Sequence, residues 1–388
     1  MTALLTLLLA AACANAGAPV HTLRRDSAGI HILEQLSAAP DTFITNTAVI
    51  ELGRLGRTGR SSDTFQSSDD FCVLRDGRIV VVAQRDVRVA LFSTDGRWLG
   101  DIGRLGTGAG EFVAPGRVSV LGDSLFVSDA TLGRLLVFTT AGQFVRSFPL
   151  AQRVAGFGVE AVPGGFVVAV ESGHLEDPVP AIGLLLRHGP DGVVSDTIAG
   201  PYPVHDLAWR TDTIRHIDYA ETPPVFSAAP IWNTRHHEAL LVRPGASVID
   251  VLDTRSGQIL LKLLTLKHAA TVTAEDRAAW ADAVTAGYPP NIRISLHVEG
   301  RFASQRPGIT AALLDDRGRI WLSGFNAATP GHIAQTWDVF DRAGTLRHIR
   351  FPMALRLVQI HDDMAWALVE KRIDMRRGFV VQAYRING

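Results

Sequence analysis

Residues 201–237 concentrate the side chains that could do chemistry. Imidazole and carboxylate groups recur along this segment, at His205, Asp206, His216, Asp218, Glu221, His236 and His237. Such groups could bind a metal ion or act as general acids and bases, in this case at the mouth of the central channel of the fold that the repeats described below predict. Their spacing matches no compact metal signature such as H-E-x-x-H, which favours a solvated loop-and-strand surface. We keep them as candidate ligands, expecting no cofactor and taking a divalent metal in the channel as the alternative.

A second candidate is the glycine-rich stretch DIGRLGTGAGEF, residues 101–112, which could cradle a phosphate. A dinucleotide fingerprint requires G-x-G-x-x-G at the start of a helix, and Glu111 stands where the third glycine is needed. A P-loop ends in Gly-Lys-Ser/Thr, and this stretch contains no lysine. We therefore interpret its glycines as a connection between strands, with no nucleotide bound.

The chain has two cysteines, and the first lies in an apolar segment at the N-terminus, TALLTLLLAAACANAGAP. The segment is too short to span a bilayer as a helix and is typical of an export signal covering residues 1–16. Two processing routes remain open. Ala14-Asn15-Ala16 is an A-x-A cleavage site, and the residues before Cys13 resemble a lipobox that would make Cys13 the lipidated first residue. Cys72 is expected to be a small buried apolar residue.

An internal repeat indicates which elements position these groups. The phrase GRLG occurs within residues 51–59 and again within 101–108. Two longer stretches align 46 residues apart, pairing Ile79 with Leu125 and Phe92 with Phe138. Each contains β-branched and aromatic runs followed by a turn that ends in glycine, which predicts strands joined by hairpins.

The turn glycine marks six such units along the chain. It recurs at Gly96, Gly142, Gly192, Gly257, Gly344 and Gly388. Four-stranded units of about 40–50 residues are typical of β-propeller blades. The sequence therefore predicts an all-β, six-bladed propeller over residues 46–388, preceded by an N-terminal extension at 17–45. Because the last unit stops at its turn, we expect residues 48–56 to close the ring as the outer strand of the last blade.

One short helix is predicted near residues 273–286, in an insertion that should pack against the propeller rim. Thr273 can cap its first turn, where Glu275 and Asp276 suit the helix dipole.

Composition excludes one class of partner. Thirty-eight Lys and Arg balance thirty-nine Asp and Glu, giving a net charge of −1. Without a basic excess to neutralise phosphates, we expect no nucleic-acid binding. Membrane contact is expected only through an N-terminal lipid, and the protein is expected to be a monomer.

With its repeated units, glycine-rich linkers, GDSLFVSD phrase and export signal, the chain resembles bacterial six-bladed β-propeller proteins of the NHL-related group. The resemblance covers the chain after residue 45 and is strongest at 71–150. Members are commonly secreted or lipid-anchored, so it implies a periplasmic or outer-membrane lipoprotein, or a secreted protein. It implies a binding role and supplies no catalytic residues.

Two functions follow as hypotheses. The first is a non-enzymatic binding or scaffolding module for a protein, peptide or glycan on one propeller face. The alternative is a metal-dependent hydrolase or lyase, lactonase-like, with its site in the central channel. The strands expected to line that channel offer few metal-ligating groups at equivalent positions, which favours binding.

Overall fold

The structure, a computed structural model, describes residues 21–44, 47–49, 70–129, 131–150, 154–172, 182–203, 225–285, 302–329, 333–373 and 376–386. The described part of the chain is nearly all β, with one α-helix, α1, at Ala274–Thr285. Its strands, in chain order, are β1 (Thr22–Ser27), β2 (Ile30–Gln35), β3 (Asp41–Phe43), β4 (Thr47–Val49), β5 (Asp70–Val73), β6 (Ile79–Ala83), β7 (Arg88–Phe92), β8 (Trp98–Asp101), β9 (Arg104–Leu105), β10 (Glu111–Phe112), β11 (Pro115–Leu121), β12 (Ser124–Asp129), β13 (Arg134–Thr139), β14 (Phe144–Pro149), β15 (Val154–Val162), β16 (Gly165–Ser172), β17 (Ile182–His188), β18 (Val194–Pro203), β19 (Ile231–Arg235), β20 (Glu238–Val242), β21 (Val248–Asp253), β22 (Ile259–Leu264), β23 (Ala270–Thr271), β24 (Gln305–Arg306), β25 (Ile309–Leu314), β26 (Ile320–Gly324), β27 (Ala334–Phe340), β28 (Leu346–His361), β29 (Met364–Ile373) and β30 (Arg376–Arg385).

The strands form antiparallel four-stranded meanders, as in β5–β8, β11–β14 and β15–β18. The register confirms the predicted repeat. Ile79 pairs with Phe92 between β6 and β7, and Leu125 pairs with Phe138 between β12 and β13. The hairpin glycines share one conformation, with φ between +69° and +93°, at Gly96, Gly142, Gly192, Gly257 and Gly344. Gly388 lies outside the described residues.

The meanders stand side by side, with their apolar faces packed against each other. One such core contains Cys72, Phe112, Val127 and Leu136. Cys72 is a free thiol that is buried there, as predicted. Burial raises the pKa of the Cys72 thiol well above its ordinary value, with the nearby carboxylates of Asp70 and Glu160 adding to the effect.

One long strand belongs to two meanders. The first part of β28 pairs with β27, and its last part, from Arg356 on, pairs with β29. The meander that begins with this last part continues through β29 and β30 and ends with β4. Ala48 is opposite Ala383 in that final pair. An N-terminal strand therefore closes the last meander, as predicted, whereas residues 50–56 lie outside the described part.

The N-terminal extension has a structure that the sequence did not predict. Residues 22–43, which we term the strap, run along the outer edges of two meanders. Strand β2 pairs in parallel with β22, and β3 pairs in parallel with β28. Leu33 of the strap is fully buried, and the Gln35 side-chain oxygen accepts hydrogen bonds from Thr265 Oγ1 at 2.9 Å and the Leu266 N–H at 3.1 Å.

The glycine-rich stretch connects two meanders, since it runs from β8 to β11. Its β9 and β10 form a short parallel pair. The Gly108 N–H donates to Glu111 Oε2 at 2.9 Å, and Arg104 Nε donates to Glu111 Oε1 at 2.8 Å. The Glu111 carboxylate thus accepts the hydrogen bond that the Gly108 N–H would otherwise be able to donate to a phosphate.

Helix α1 begins with the predicted cap. Asp276 N–H donates to Thr273 Oγ1 at 3.1 Å, and Thr273 N–H donates to the Asp276 carboxylate at 2.9 Å. The Trp280 ring lies 5.4 Å from that of Phe302, edge to face. Within the residues described, no helix is long and apolar enough to cross a membrane.

Candidate functional site

The meanders surround a channel with a cavity of about 590 Å³. It is lined by the first strand of each meander, taken in turn from β5, β11, β15, β19, β25 and the last part of β28. Neighbouring strands in this order contact each other, and the last part of β28 contacts β5, so the lining closes on itself. Residues on these strands have access to one shared space.

Side chains on the lining strands hold neighbouring strands together. Val118 N–H donates to Asp70 Oδ2 at 3.0 Å, and Ala161 N–H donates to Ser119 Oγ at 3.1 Å. The same type of bond joins Leu314 N–H to Asn233 at 2.8 Å and Val73 N–H to Gln359 at 3.0 Å. A backbone N–H on the inner edge of a sheet lacks a ladder partner, and these acceptors satisfy it. The bond from Val73 to Gln359 links the first described meander with the last.

Five charged side chains on consecutive lining strands alternate in sign, and we term them the charge ring. In order around the channel they are Arg356, Asp70, Arg117, Glu160 and Arg235. Arg117 and Arg356 both face Asp70, with nitrogen-to-oxygen distances of 3.4 and 3.7 Å. Asp70 is almost fully buried, and its negative charge raises the pKa of the Arg117 guanidinium above the ordinary range.

Glu160 has the most perturbed environment in the ring. Burial raises the pKa of its carboxyl group to about 7, and the charge of Asp70 acts in the same direction. The guanidinium groups of Arg117 and Arg235 oppose this shift without cancelling it. Glu160 therefore exchanges a proton close to neutral pH, a property that functional sites often exploit.

Arg235 and Glu160 are neighbours without hydrogen bonds of their own. Arg235 Nε is buried and has no acceptor among the described residues. Neither side chain forms a hydrogen bond with another described residue. A buried donor left without an acceptor costs about 1–3 kcal/mol. A further group that accepts a hydrogen bond from Arg235 would remove this cost.

Of the sequence-predicted candidates, His205, Asp206, His216 and Asp218 lie outside the described residues, as does Glu221. His236 and His237 form the turn between β19 and β20, and their side chains have different surroundings. His236 lines the end of the channel with φ of +56°, whereas His237 lies beside Arg255, with Nε2 3.1 Å from a guanidinium nitrogen. The structure thus brings one of the two to the channel.

A His/Asp group that the sequence analysis did not single out lies where lining strands end. Potential ligand atoms of Asp316, His361 and Asp362 lie within 4.8 Å of one another. The Asp362 N–H donates to Asp316 Oδ2 at 2.8 Å, and His361 Nδ1 is 2.9 Å from Asp362 Oδ2. The remaining oxygen of Asp316, Oδ1, is buried without a partner in the described part of the chain.

The charge ring, which contains three arginines, was not singled out from the sequence, where only metal-ligating groups on the lining strands were considered. These strands precede the repeated runs from which the units were recognised. Three of the five ring residues, Arg117, Glu160 and Arg356, sit in apolar segments, as in GRVSV and ALRLV, whereas Asp70 and Arg235 stand next to polar residues. For the three in apolar segments, a single charge within an apolar strand was the signal that the sequence offered.

No family model matches the sequence, and no curated protein matches it. Solved structures match by fold. A protein of Bacteroides fragilis NCTC 9343 that carries the description of an exported protein shares 9% identity, with 88% of this chain and 95% of that chain covered and a TM-score of 0.50. A catalytically inactive virginiamycin B lyase from Staphylococcus aureus shares 11% identity, with 88% and 89% covered and a TM-score of 0.45. Regucalcin from Agrobacterium tumefaciens shares 10% identity, with 90% and 97% covered and a TM-score of 0.44.

At such identities the likeness concerns the fold, and the activities named belong to those proteins. Meanders around a closed lining and an N-terminal strand that completes the last meander define the fold: the chain is a β-propeller.

Proposed function

We propose that this protein is an exported β-propeller of the cell envelope that binds a ligand in its central channel and does not transform it. The observation that carries the proposal is the pair formed by Glu160 and Arg235, two charged groups on the wall of a cavity of about 590 Å³ that have no hydrogen-bond partner of their own among the described residues. Small-molecule sites commonly have volumes of about 300–1,000 Å³ and a few converging polar groups.

The proposal extends to the architecture and to the location. Residues 46–388 form six blades of an NHL-like propeller, the export signal covers residues 1–16, and Cys13 carries the lipid that retains the protein at the periplasmic side of a membrane. The signal residues lie outside the described part. Export is supported by the apolar N-terminal segment and by the description that the Bacteroides neighbour carries.

The partner is proposed to be a protein, peptide or glycan that presents one end to the channel. The test is a pull-down from envelope extracts with the purified protein. We expect a specific partner to be retained by wild type and by Arg97→Gln, a control in an exposed turn, and to be lost with Arg235→Gln. Retention of the same partner by Arg235→Gln would place binding elsewhere.

The alternative, a metal-dependent hydrolase or lyase, has one observation in its favour, the group formed by Asp316, His361 and Asp362. Elemental analysis of the purified protein decides between the two. Binding without turnover predicts no stoichiometric divalent metal. Stoichiometric metal that is lost in Asp316→Asn, together with hydrolysis or elimination that depends on it, would favour the enzyme.

A further inference from the structure

We infer that the channel recognises its ligand through a carboxylate group held between Arg235 and Glu160. This inference rests on the proposed function, because it names the chemistry of the ligand bound at that site.

The three guanidinium groups in the charge ring are paired unequally. Arg117 and Arg356 share one carboxylate, that of Asp70. Arg235 has no ion pair or hydrogen bond with a described residue, and its Nε is buried. A guanidinium presents a planar fork of donors that matches a carboxylate with two parallel hydrogen bonds. The missing acceptor next to Arg235 therefore fits a carboxylate.

The protonation of Glu160 supplies a second donor. The groups that face it are Arg117 on β11, Arg235 on β19 and Asp70 across the ring. Asp129 on the neighbouring β12 is engaged by the N–H groups of Val113, Ala114, Thr131 and Leu132. Close to neutral pH a large fraction of Glu160 is protonated, and in that form it donates one hydrogen bond. A carboxylate beside Arg235 then accepts from Glu160 as well.

Ligands of other charge fit the ring less well. Three guanidinium groups repel a cation. A phosphate dianion brings two negative charges close to Glu160 and to Asp70, whose carboxylate is already paired with Arg117 and Arg356. A single carboxylate needs one guanidinium and one proton, and the ring offers both. Its negative charge stabilises the protonated form of Glu160, so binding takes up a proton from solution.

Two sources share this chemistry, a free organic acid and the carboxyl end of a peptide. The probes are butyrate with butyramide as its neutral control, and a trialanine peptide with a free or an amidated carboxyl end. Isothermal titration of the purified full chain at pH 7, in two buffers of different ionisation enthalpy, measures both affinity and proton uptake. We expect an acid to bind and its amide to bind at least tenfold more weakly. The acid that binds more tightly, butyrate or peptide, identifies the source.

Variants locate the site. Arg235→Gln should weaken acid binding at least tenfold, and Arg97→Gln should leave it unchanged. Wild-type affinity should fall as the pH rises from 6 to 8, whereas Glu160→Gln, which keeps a donor at all pH values, should bind with little pH dependence. Circular dichroism and thermal melting establish that each variant is folded.

Several outcomes overturn the inference: equal binding of acid and amide, proton release on binding, undiminished binding by folded Arg235→Gln, or no binding by any probe. If no probe binds while the envelope partner is lost with Arg235→Gln, the proposed function stands and the carboxylate assignment fails. If the acids bind as expected while the partner is retained by Arg235→Gln, the channel site stands and the proposed role of the channel in capturing that partner fails.

Discussion

At the residue scale, two buried carboxylates, those of Asp129 and Asp315, accept hydrogen bonds from several backbone N–H groups each. Asp129 is 1% exposed and accepts from four N–H groups, two just before β11 and two just after β12. Asp315 is fully buried and accepts from two backbone N–H groups and from Trp321 Nε1. A sequence shows such residues only as aspartates before a turn. Their structural role depends on contacts that the chain makes as it folds.

Replacing Asp129 tests this role. Asp129→Ala leaves several buried N–H groups without an acceptor, so we expect a loss of about 3 kcal/mol in the free energy of unfolding. Asp123→Asn, an exposed position in the same meander, should change it by less than about 0.5 kcal/mol. Urea denaturation measures both. Equal effects of the two changes would contradict the assignment.

Glu160 gives a pH-dependent prediction for stability in the absence of ligand. The folded protein keeps the proton up to about pH 7, whereas the unfolded chain releases it near 4.5. The folded state therefore binds more protons in this window, and wild-type stability falls as the pH rises through it. Glu160→Gln should be the more stable protein at pH 8, by roughly 2 kcal/mol, with a smaller difference at pH 5. Thermal melting at the two pH values is the measurement. A difference that does not grow with pH would show that Glu160 is not buried as described.

At the element scale, the sequence predicted the second, third and fourth strands of the meanders better than the first. Runs such as IVVVA and LFVSD are rich in β-branched and aromatic residues and are bounded by polar turns. The lining strands are less regular, because β11, β15, β25 and β28 each contain a register shift against the following strand. Such bulges re-aim side chains and break the period of two. Such shifts obscure Arg117, Glu160 and Arg356, whereas Asp70 and Arg235 lie on β5 and β19, which pair without a shift but begin or end among polar residues. The strap was missed because its partners are far away in the sequence.

The strap offers a matched pair of leucines. Leu33 is fully buried in a core that includes Leu261 and Phe340, whereas Leu23 is 46% exposed on the same hairpin. Leu33→Ala should lower the free energy of unfolding by about 3 kcal/mol, and Leu23→Ala by less than about 1 kcal/mol. If both substitutions have the same small effect, the strap does not dock in solution.

The hairpin glycines explain how meanders fit against each other. A Cβ on Gly192 would lie 2.6 Å from Phe148 of the preceding meander, whereas one on Gly245 would meet nothing within 4 Å. Both glycines have positive φ, +86° and +70°. Gly245→Ala should cost about 1 kcal/mol from backbone strain, and Gly192→Ala distinctly more because the methyl group also collides with Phe148. Chemical denaturation of the two variants separates strain from collision.

At the scale of the whole molecule, the closing strand joins the two ends of the ring. Strand β4 completes the sheet that ends with β30, and Gln359 links the last described meander with the first. The segment that contains the N-terminal GRLG phrase predicted this closure from the sequence. The number of blades and the domain limits stay predictions, because residues 50–69 and 204–224 lie outside the described part.

Truncation separates the strap from the closing strand. Three proteins starting at residues 17, 44 and 50 contain both elements, β4 alone, and neither. We expect the second to melt below the first because deletion of Leu33 exposes the apolar side chains that it covers. The third should melt lower still, in a single broadened transition, since an open sheet edge destabilises the ring as a unit. Identical melting of the second and third proteins would mean that β4 contributes nothing to closure.

The continuity of β28 restricts where neighbouring meanders can move apart. No loop separates the part of β28 that pairs with β27 from the part that carries Arg356, so these two meanders must move together as one stiff body. The junction between β8 and β11 is instead a glycine-rich loop. Asp70 on β5 contacts both parts. It is paired with Arg356 on β28 and with Arg117 on β11, which follows the loop. A widening of the channel between the β5–β8 and β11–β14 meanders would therefore hinge at residues 102–114, where it would break the contacts of Asp70 with Arg117 and Val118 and keep its contact with Arg356.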